Sequence, residues 1–199
     1  GEIIASRSSD QARMHVYQRI VKDERQDSLS LIAGLIEPGQ SVLDLGMGTG
    51  GLGQFLSQRG AIVADGVTLN AAEADIARTW YRRAVVADLD RDLLTDLFGA
   101  EQYDCIVCAD VLEHLKAPQH VLAQCKRLLK PGGRLLTSVP NVGYCGLMAE
   151  LMQGEFRYRP EGLLDATHPR FFTRRSLSRF FQQQGWATLS VTTTQRILL

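Results

Sequence analysis

Residues 42–51 read Val42-Leu43-Asp44-Leu45-Gly46-Met47-Gly48-Thr49-Gly50-Gly51. The first four residues make a short buried strand, and it runs straight into a glycine-rich turn. Leu52 to about Arg59 then has helical spacing, ended by Gly60. A strand, a glycine turn and a helix in this order make a nucleotide-type cofactor site. Gly46 and Gly48 let the backbone turn tightly and approach a ligand, and the helix that follows presents N–H groups.

The same alternation continues outward from this unit. Ala61 to Val67 reads as a strand. Asn70 opens a helix to about Tyr81, with Glu73 as its capping-box partner. Ala84–Ala87 is a third strand and Tyr103–Ala109 a fourth. Pro118 starts a helix through Leu129, which Lys130-Pro131-Gly132-Gly133 breaks, and Arg134–Val139 is a fifth strand. Strand and helix alternating at this spacing predict an α/β fold: a doubly wound, mostly parallel sheet with helices on both faces. Upstream, Asp10–Val21 and Glu24–Ile36 have helical periodicity, so residues 1–40 are expected to form a helical segment packing on a core of residues 41–199. From Pro140 to Phe172 the rhythm fails, save for a short helix near Leu147–Met152. A loop this long is usually functional, and residues 141–172 are expected to form a substrate cap. Thr173 then caps a helix through Gln184, and Ala187–Thr194 reads as a sixth strand.

The 199 residues carry 22 Lys+Arg against 22 Asp+Glu, a net charge of zero. That balance excludes a whole-surface nucleic-acid footprint, and no apolar run is long enough to span a membrane. Four cysteines are too few and too scattered for a disulfide scaffold, which fits a reducing cytoplasm. Cys105 and Cys108 form a C-x-x-C, but their odd separation in a strand sends them to opposite faces as core thiols. No second Cys/His pair lies at zinc spacing, so no metal site is expected. The chain opens on Gly1 without Met and stops at Ile197-Leu198-Leu199, which reads as a domain cut from a longer protein; a homodimer is the other expectation.

The glycine turn alone leaves the cofactor open. Gly46-x-Gly48-x-x-Gly51 also satisfies the dinucleotide fingerprint, and Asp65 lies near the offset of a ribose acid, so a nicotinamide (NAD(P))-dependent reductase of Rossmann type competes. Asp44, two residues before the first glycine, favours a cationic ligand over a pyrophosphate. Asp88 and Asp110 end the third and fourth strands, so three acids converge on the carboxyl edge of the sheet. S-adenosylmethionine, with a sulfonium and an ammonium, suits such a rim.

The segments Val42–Gly50, Tyr103–Cys108, Asp110-Val111-Leu112-Glu113-His114-Leu115 and Leu128-Leu129-Lys130-Pro131-Gly132-Gly133 resemble, in order, the motifs of class I S-adenosylmethionine-dependent methyltransferases, over roughly residues 25 to 195. The resemblance implies that Asp44, Gly46 and Gly48 meet the methionine part of the cofactor. Asp88, with Leu89 behind it, would meet the adenine, and Asp110 would line the reaction centre; the product is S-adenosylhomocysteine. The family usually ends its second strand with an acid that grips the ribose. Here Thr68 stands there, as in relatives of the cyclopropane fatty acid synthase group. Only Thr68, and not Asp65, lies at the strand's end, so Thr68 is the expected ribose contact, with weaker anchoring. A non-catalytic domain that only binds the cofactor is a further alternative.

The acceptor side must come from the irregular segment. Residues 155–179 hold six arginines (157, 159, 170, 174, 175, 179) against three acids (Glu155, Glu161, Asp165). Arginine forks match phosphate and carboxylate, which points to an anionic small molecule or glycan, or else to an ordinary solvated helix face. Tyr144, Phe156, Tyr158, Phe171 and Phe172 either line a sugar or lipid pocket or hold the cap to the sheet. His168 is the first candidate base and His114 the second; packing, and a helix-start role for His114, are the competing readings. Ser138-Val139-Pro140-Asn141-Val142, Leu164-Asp165-Ala166-Thr167-His168 and Arg170-Phe171-Phe172-Thr173 are similar to small bacterial methyltransferases (type 11/12 group) of surface-polysaccharide assembly. The Leu-Glu-His and Lys-Pro-Gly-Gly patterns are shared with quinone O-methyltransferases. The expectation is O-methylation of a sugar, glycan or other small anionic acceptor.

Overall fold

The computed structural model describes residues 28–60 and 62–194. Five parallel strands form one sheet in the order β3-β2-β1-β4-β5. They are β1 (Ser41–Leu45), β2 (Val63–Thr68), β3 (Arg83–Val86), β4 (Tyr103–Ala109) and β5 (Leu129–Ser138). β1 and β4 are neighbours, so the winding reverses between them, and doubly wound sheets bind ligands at the carboxyl ends of such a pair.

Two apolar layers hold the sheet. Helices α1 (Ser28–Gly34), α2 (Gly51–Ser57) and α3 (Ala71–Ala77) cover one face through Leu29, Ile32, Leu52, Leu56, Ala74 and Ala77. Helices α4 (Leu94–Phe98) and α5 (Pro118–Leu128) cover the other through Leu94, Phe98, Val121, Leu122, Cys125 and Leu128. The alternation of β4 divides its cysteines as expected: Cys105 joins the first layer, Cys108 the second, and both are buried. Two further helices are α6 (Cys145–Met152) and α7 (Arg174–Gln183). Thr173 caps α7 in a box with Ser176.

Several expectations are revised. The sixth strand is not formed: residues 187–194 are irregular, with Leu189 82% exposed and Val191 44%. Thr- and Val-rich alternation makes a strand only where a neighbour and a covered face receive it, and neither is there. β5 begins at Leu129, five residues early. Tyr103 pairs with Leu129 and Cys105 with Arg134, so the turn-like Lys130–Gly133 bulges out of the ladder. Asn70 caps α3 alone, accepting from the Ala72 N–H, and Glu73 takes the Thr68 hydroxyl instead. α4 was not anticipated, although Leu94 and Phe98 stand one helical turn apart. The Asp10–Val21 helix and most of the first half of Glu24–Ile36 lie outside the described residues.

Candidate active site

The register brings the sequence candidates to one edge. Leu45 stands against Val67 and Cys108, and Thr68 against Val86. Gly46, Thr68, Asp88 and Asp110 therefore fall within about two residues of one level at the carboxyl ends of the strands.

The turn after β1 is shaped by contact. The Gly46 and Met47 N–H groups both donate to the Val67 carbonyl, at 2.8 and 2.9 Å. Gly46 has φ +81°, and a Cβ there would stand 2.5 Å from Val111 Cγ2, so only glycine lets the turn lie against the loop that follows β4. Gly48 is also left-handed, at φ +52°.

Asp44, just below the turn, is 3% exposed. The Tyr81 hydroxyl donates to its carboxylate at 2.5 Å and accepts from the Gly53 N–H of α2 at 3.0 Å. Burial pushes the Asp44 carboxyl up to about 6, and the Tyr81 hydrogen bond only partly opposes it. Tyr81 thus ties β1, α2 and the end of the third helical unit together, a role sequence reasoning missed. Its ring also occupies the place of a Gly53 side chain.

Thr68 is 5% exposed; its hydroxyl donates to Glu73 Oε2 at 2.5 Å and accepts from the Asn70 N–H. An acid is therefore one hydrogen bond away from the strand end that lacks one. Asp88 accepts from the Asp90 N–H at 3.0 Å and pairs with Arg91 at 3.4 Å, and Leu89 packs on the core behind it. Asp110 has φ +54°, a non-glycine residue in the left-handed region, which aspartate tolerates better than most. Ser138 Oγ donates to its carboxylate at 2.8 Å.

Directly after Asp110, residues Leu112–His114 make one 3₁₀ turn. Leu112 and Leu115 are buried, which turns Glu113 inward to 1% exposure. The cap then brings His168 against His114, ring centroids 4.5 Å apart and edge-to-face. Three contacts fix that approach. The Arg170 N–H reaches the Glu113 carbonyl, the Arg170 guanidinium donates to the carbonyls of Leu115 and Lys116, and Val142 N–H reaches the Phe172 carbonyl. Asp165 accepts from both the N–H and the hydroxyl of Thr167, each at 2.7 Å. With its hydrogen spent there, Thr167 Oγ1 can only accept from His114 Nδ1, 3.1 Å away, which leaves Nε2 bearing the lone pair. Burial and then the neighbouring His168 hold His114 below its usual value. His168 is 8% exposed.

An aromatic file leads to this pair. Tyr158 meets Phe156 at 5.3 Å, Phe156 meets Phe171 at 6.3 Å, and Phe171 meets His168 at 6.4 Å, all edge-to-face. The six arginines divide. Arg157 pairs with Glu155, Arg159 with Glu150, and Arg170 is the strap just described. Arg174, Arg175 and Arg179 line a shallow groove of about 430 Å³ on the outer face of α7.

A family model described as "Methyltransferase domain" matches residues 17–191. The chain belongs to the methyltransferase-domain family. The glycine turn against Val111 with an acid at its base fits S-adenosylmethionine, the methyl donor that the sequence resemblance implies. The nicotinamide reading falls with this assignment. Among curated proteins, this methyltransferase domain is 29% identical over 160 residues to the ubiquinone biosynthesis O-methyltransferase of Coxiella burnetii (strain RSA 493 / Nine Mile phase I), covering 77% of this chain and 66% of that one. It is 36% identical over 106 residues to the enzyme of the same name from Pseudomonas aeruginosa (strain LESB58), covering 52% and 45%. The chain thus spans just under two thirds of the first relative and under half of the second. These relatives carry ubiquinone-biosynthesis names, not the surface-polysaccharide role that the cap motifs suggested. A Haloferax volcanii methyltransferase, solved in complex with the Trm112 activator, shares the fold at a TM-score of 0.61 and 20% identity, covering 79% of this chain and 67% of that one. Among the described residues, no helix is long and apolar enough to cross a membrane.

Proposed function

We propose that the chain transfers a methyl group from S-adenosylmethionine to a hydroxyl oxygen of a small, ring-bearing acceptor. The observation that carries this reading is the His114–His168 pair, set at the end of the aromatic file and directly after the strand end that faces the glycine turn. The O-methyltransferase names of the curated relatives support oxygen as the acceptor atom.

Asp44, Gly46, Gly48, Thr68, Asp88, Leu89 and Asp110 would hold the cofactor: Asp44 and the turn its methionine end, Thr68 with Glu73 the ribose, Asp88 and Leu89 the adenine. When bound, it supplies a methyl on a sulfonium, which leaves as the S–CH3 pair returns to sulfur and an O–CH3 bond forms. The chain's part is to place the acceptor hydroxyl in line, exclude water, and relieve it of its proton. Phe156 and Phe171 make the wall for a flat ring. The Glu113–His114–His168 cluster receives the hydroxyl, and His114 and His168 are the catalytic residues. Arg170 is a positioning residue, because it fastens the loop that carries His168.

An anionic sugar is the second reading, and only Arg174, Arg175 and Arg179 speak for it, since the cap arginines 157 and 159 are paired within the protein. The test is methyl incorporation from labelled S-adenosylmethionine into hydroxylated aromatic rings and, separately, hydroxylated or phosphorylated sugars. Label on ring hydroxyls, lost in His168→Ala while S-adenosylhomocysteine still binds, is the expected result. Label on sugars alone overturns the ring acceptor, and label on nothing favours a domain that only binds the cofactor.

A further inference from the structure

The cluster after β4 contains more than a proton acceptor requires. Glu113, His114 and His168 each offer one oxygen or nitrogen, and these atoms lie within 4.8 Å of one another. Two come from adjacent positions of one 3₁₀ turn, and the third is delivered by the cap, 54 positions later in the chain. His168 is more than nine-tenths buried, and its Nδ1 has no hydrogen-bond partner among the described residues. A buried nitrogen left in that state is destabilising unless something occupies its lone pair or takes its proton.

We propose that Glu113, His114 and His168 bind a divalent first-row transition metal ion, with its remaining positions open to the acceptor's oxygen. Two imidazoles and one carboxylate are the donor set that such ions take when a coordination position is kept for water or substrate. Ligand atoms at 2.0–2.1 Å from a tetrahedral ion stand about 3.3 Å apart, so the cluster must close by roughly 1.5 Å at most. Side-chain rotation of His168, whose Nδ1 has no hydrogen-bond partner among the described residues, provides for that. The surroundings are those of a ligand shell. The Asp165–Thr167 hydroxyl chain fixes His114 with its Nε2 lone pair available, as an outer carboxylate does for a metal-bound histidine. Arg170 ties both halves of the site together through three carbonyls.

The part that concerns the acceptor rests on the O-methyl-transfer reading; the binding of the ion does not. A hydroxyl on such an ion gives its proton to solvent near neutral pH, and the resulting oxygen takes the methyl. The S–CH3 pair stays on sulfur, and nothing is oxidised or reduced. Sequence spacing gave no hint of this site, because its halves meet only through the path of the cap.

Chelator-stripped protein, without methyl donor or acceptor, is titrated with Zn²⁺ and Mn²⁺ by calorimetry and with Co²⁺ by visible absorption. One equivalent should bind. Glu113→Gln and His168→Gln should each weaken it by more than about tenfold, the least that loss of even an outer partner costs. His120→Gln, at an exposed histidine, should not. Should Glu113→Gln not fold, His114→Gln at a half-buried position takes its place. No saturable binding up to millimolar ion, or equal binding in the cluster variants, overturns the site. If the ion binds and stripped protein still methylates at full rate, the acceptor role is overturned. If the ion binds and no acceptor is methylated, the cation site stands and the proposed reaction falls.

Discussion

The two faces of the sheet use the same acidic residue in opposite ways. On the face covered by α4 and α5, buried Asp65 receives Arg82 at 2.6 and 2.9 Å, Arg83 at 2.7 and 3.1 Å, and the Tyr103 hydroxyl at 2.6 Å. Burial alone would raise its carboxyl, but these donors outweigh it and hold it at about 2. Asp104, on β4, is brought to about 2 by Lys130 and by the Ser41 N–H and hydroxyl. On the face covered by α1, α2 and α3, Asp44 is equally buried but has a neutral phenol for a partner, and burial lifts it to about 6. The difference is the partner: guanidinium groups stabilise the ionised Asp65, whereas a phenol leaves burial to decide at Asp44.

The largest effect expected is from Asp65→Asn. Two guanidinium groups and a phenol lose their common acceptor, and removing one partner of a buried ionic network costs about 3–5 kcal/mol. For a chain of this length that is a fall of roughly 10 °C in calorimetric Tm, with S-adenosylhomocysteine affinity unchanged in what stays folded. A comparable loss of affinity would erase the contrast between the faces.

Asp44 should show the opposite pH behaviour. Its folded value, about 6, lies above the 3.8 of an ordinary aspartate, so its contribution to stability is full below pH 3.8 and is lost as pH rises through about 6. For Asp65 the contribution is present above pH 3.8 and is lost as pH falls through about 2. The Asp44 window is on the order of 3 kcal/mol, measurable by denaturant unfolding at stepped pH. Asp44→Asn should flatten it, and in the wild type a cationic cofactor should bind more tightly as pH rises through 6.

The smallest effect on stability is expected at Gly46→Ala, about 1–3 kcal/mol from the left-handed φ and the Val111 contact. Its effect on S-adenosylhomocysteine binding should exceed tenfold, and Val111→Ala in the same chain should recover stability more than affinity. Unfolding curves and calorimetric titration of the two variants separate these.

Much of this arrangement is legible in the residues alone. Tyr103–Ala109 is found end to end as expected, because a run that is apolar save for Asp104 near its start fits a strand covered on both faces. Asp65, set aside as a ribose contact because it does not end the strand, is paired with Arg82 and Arg83. What could not be read depends on who meets whom. Ala187–Thr194 has strand chemistry and no neighbour to pair with. His114 and His168 were each identifiable, but their approach is set by Arg170 gripping carbonyls, which leave no mark in a sequence. Tyr81 looked like the last residue of a helix and is instead the partner of Asp44.

That tyrosine has an evolutionary consequence. Its ring fills the space of a side chain at position 53, and its oxygen serves both the α2 backbone and the β1 carboxyl. Positions 44, 53 and 81 are therefore coupled: a side chain at residue 53 displaces the ring, and with it the acid beneath the turn loses its phenol. Substitutions at these three sites should travel together through descendants, and chimeras that mix them should fail even when each residue is acceptable by itself.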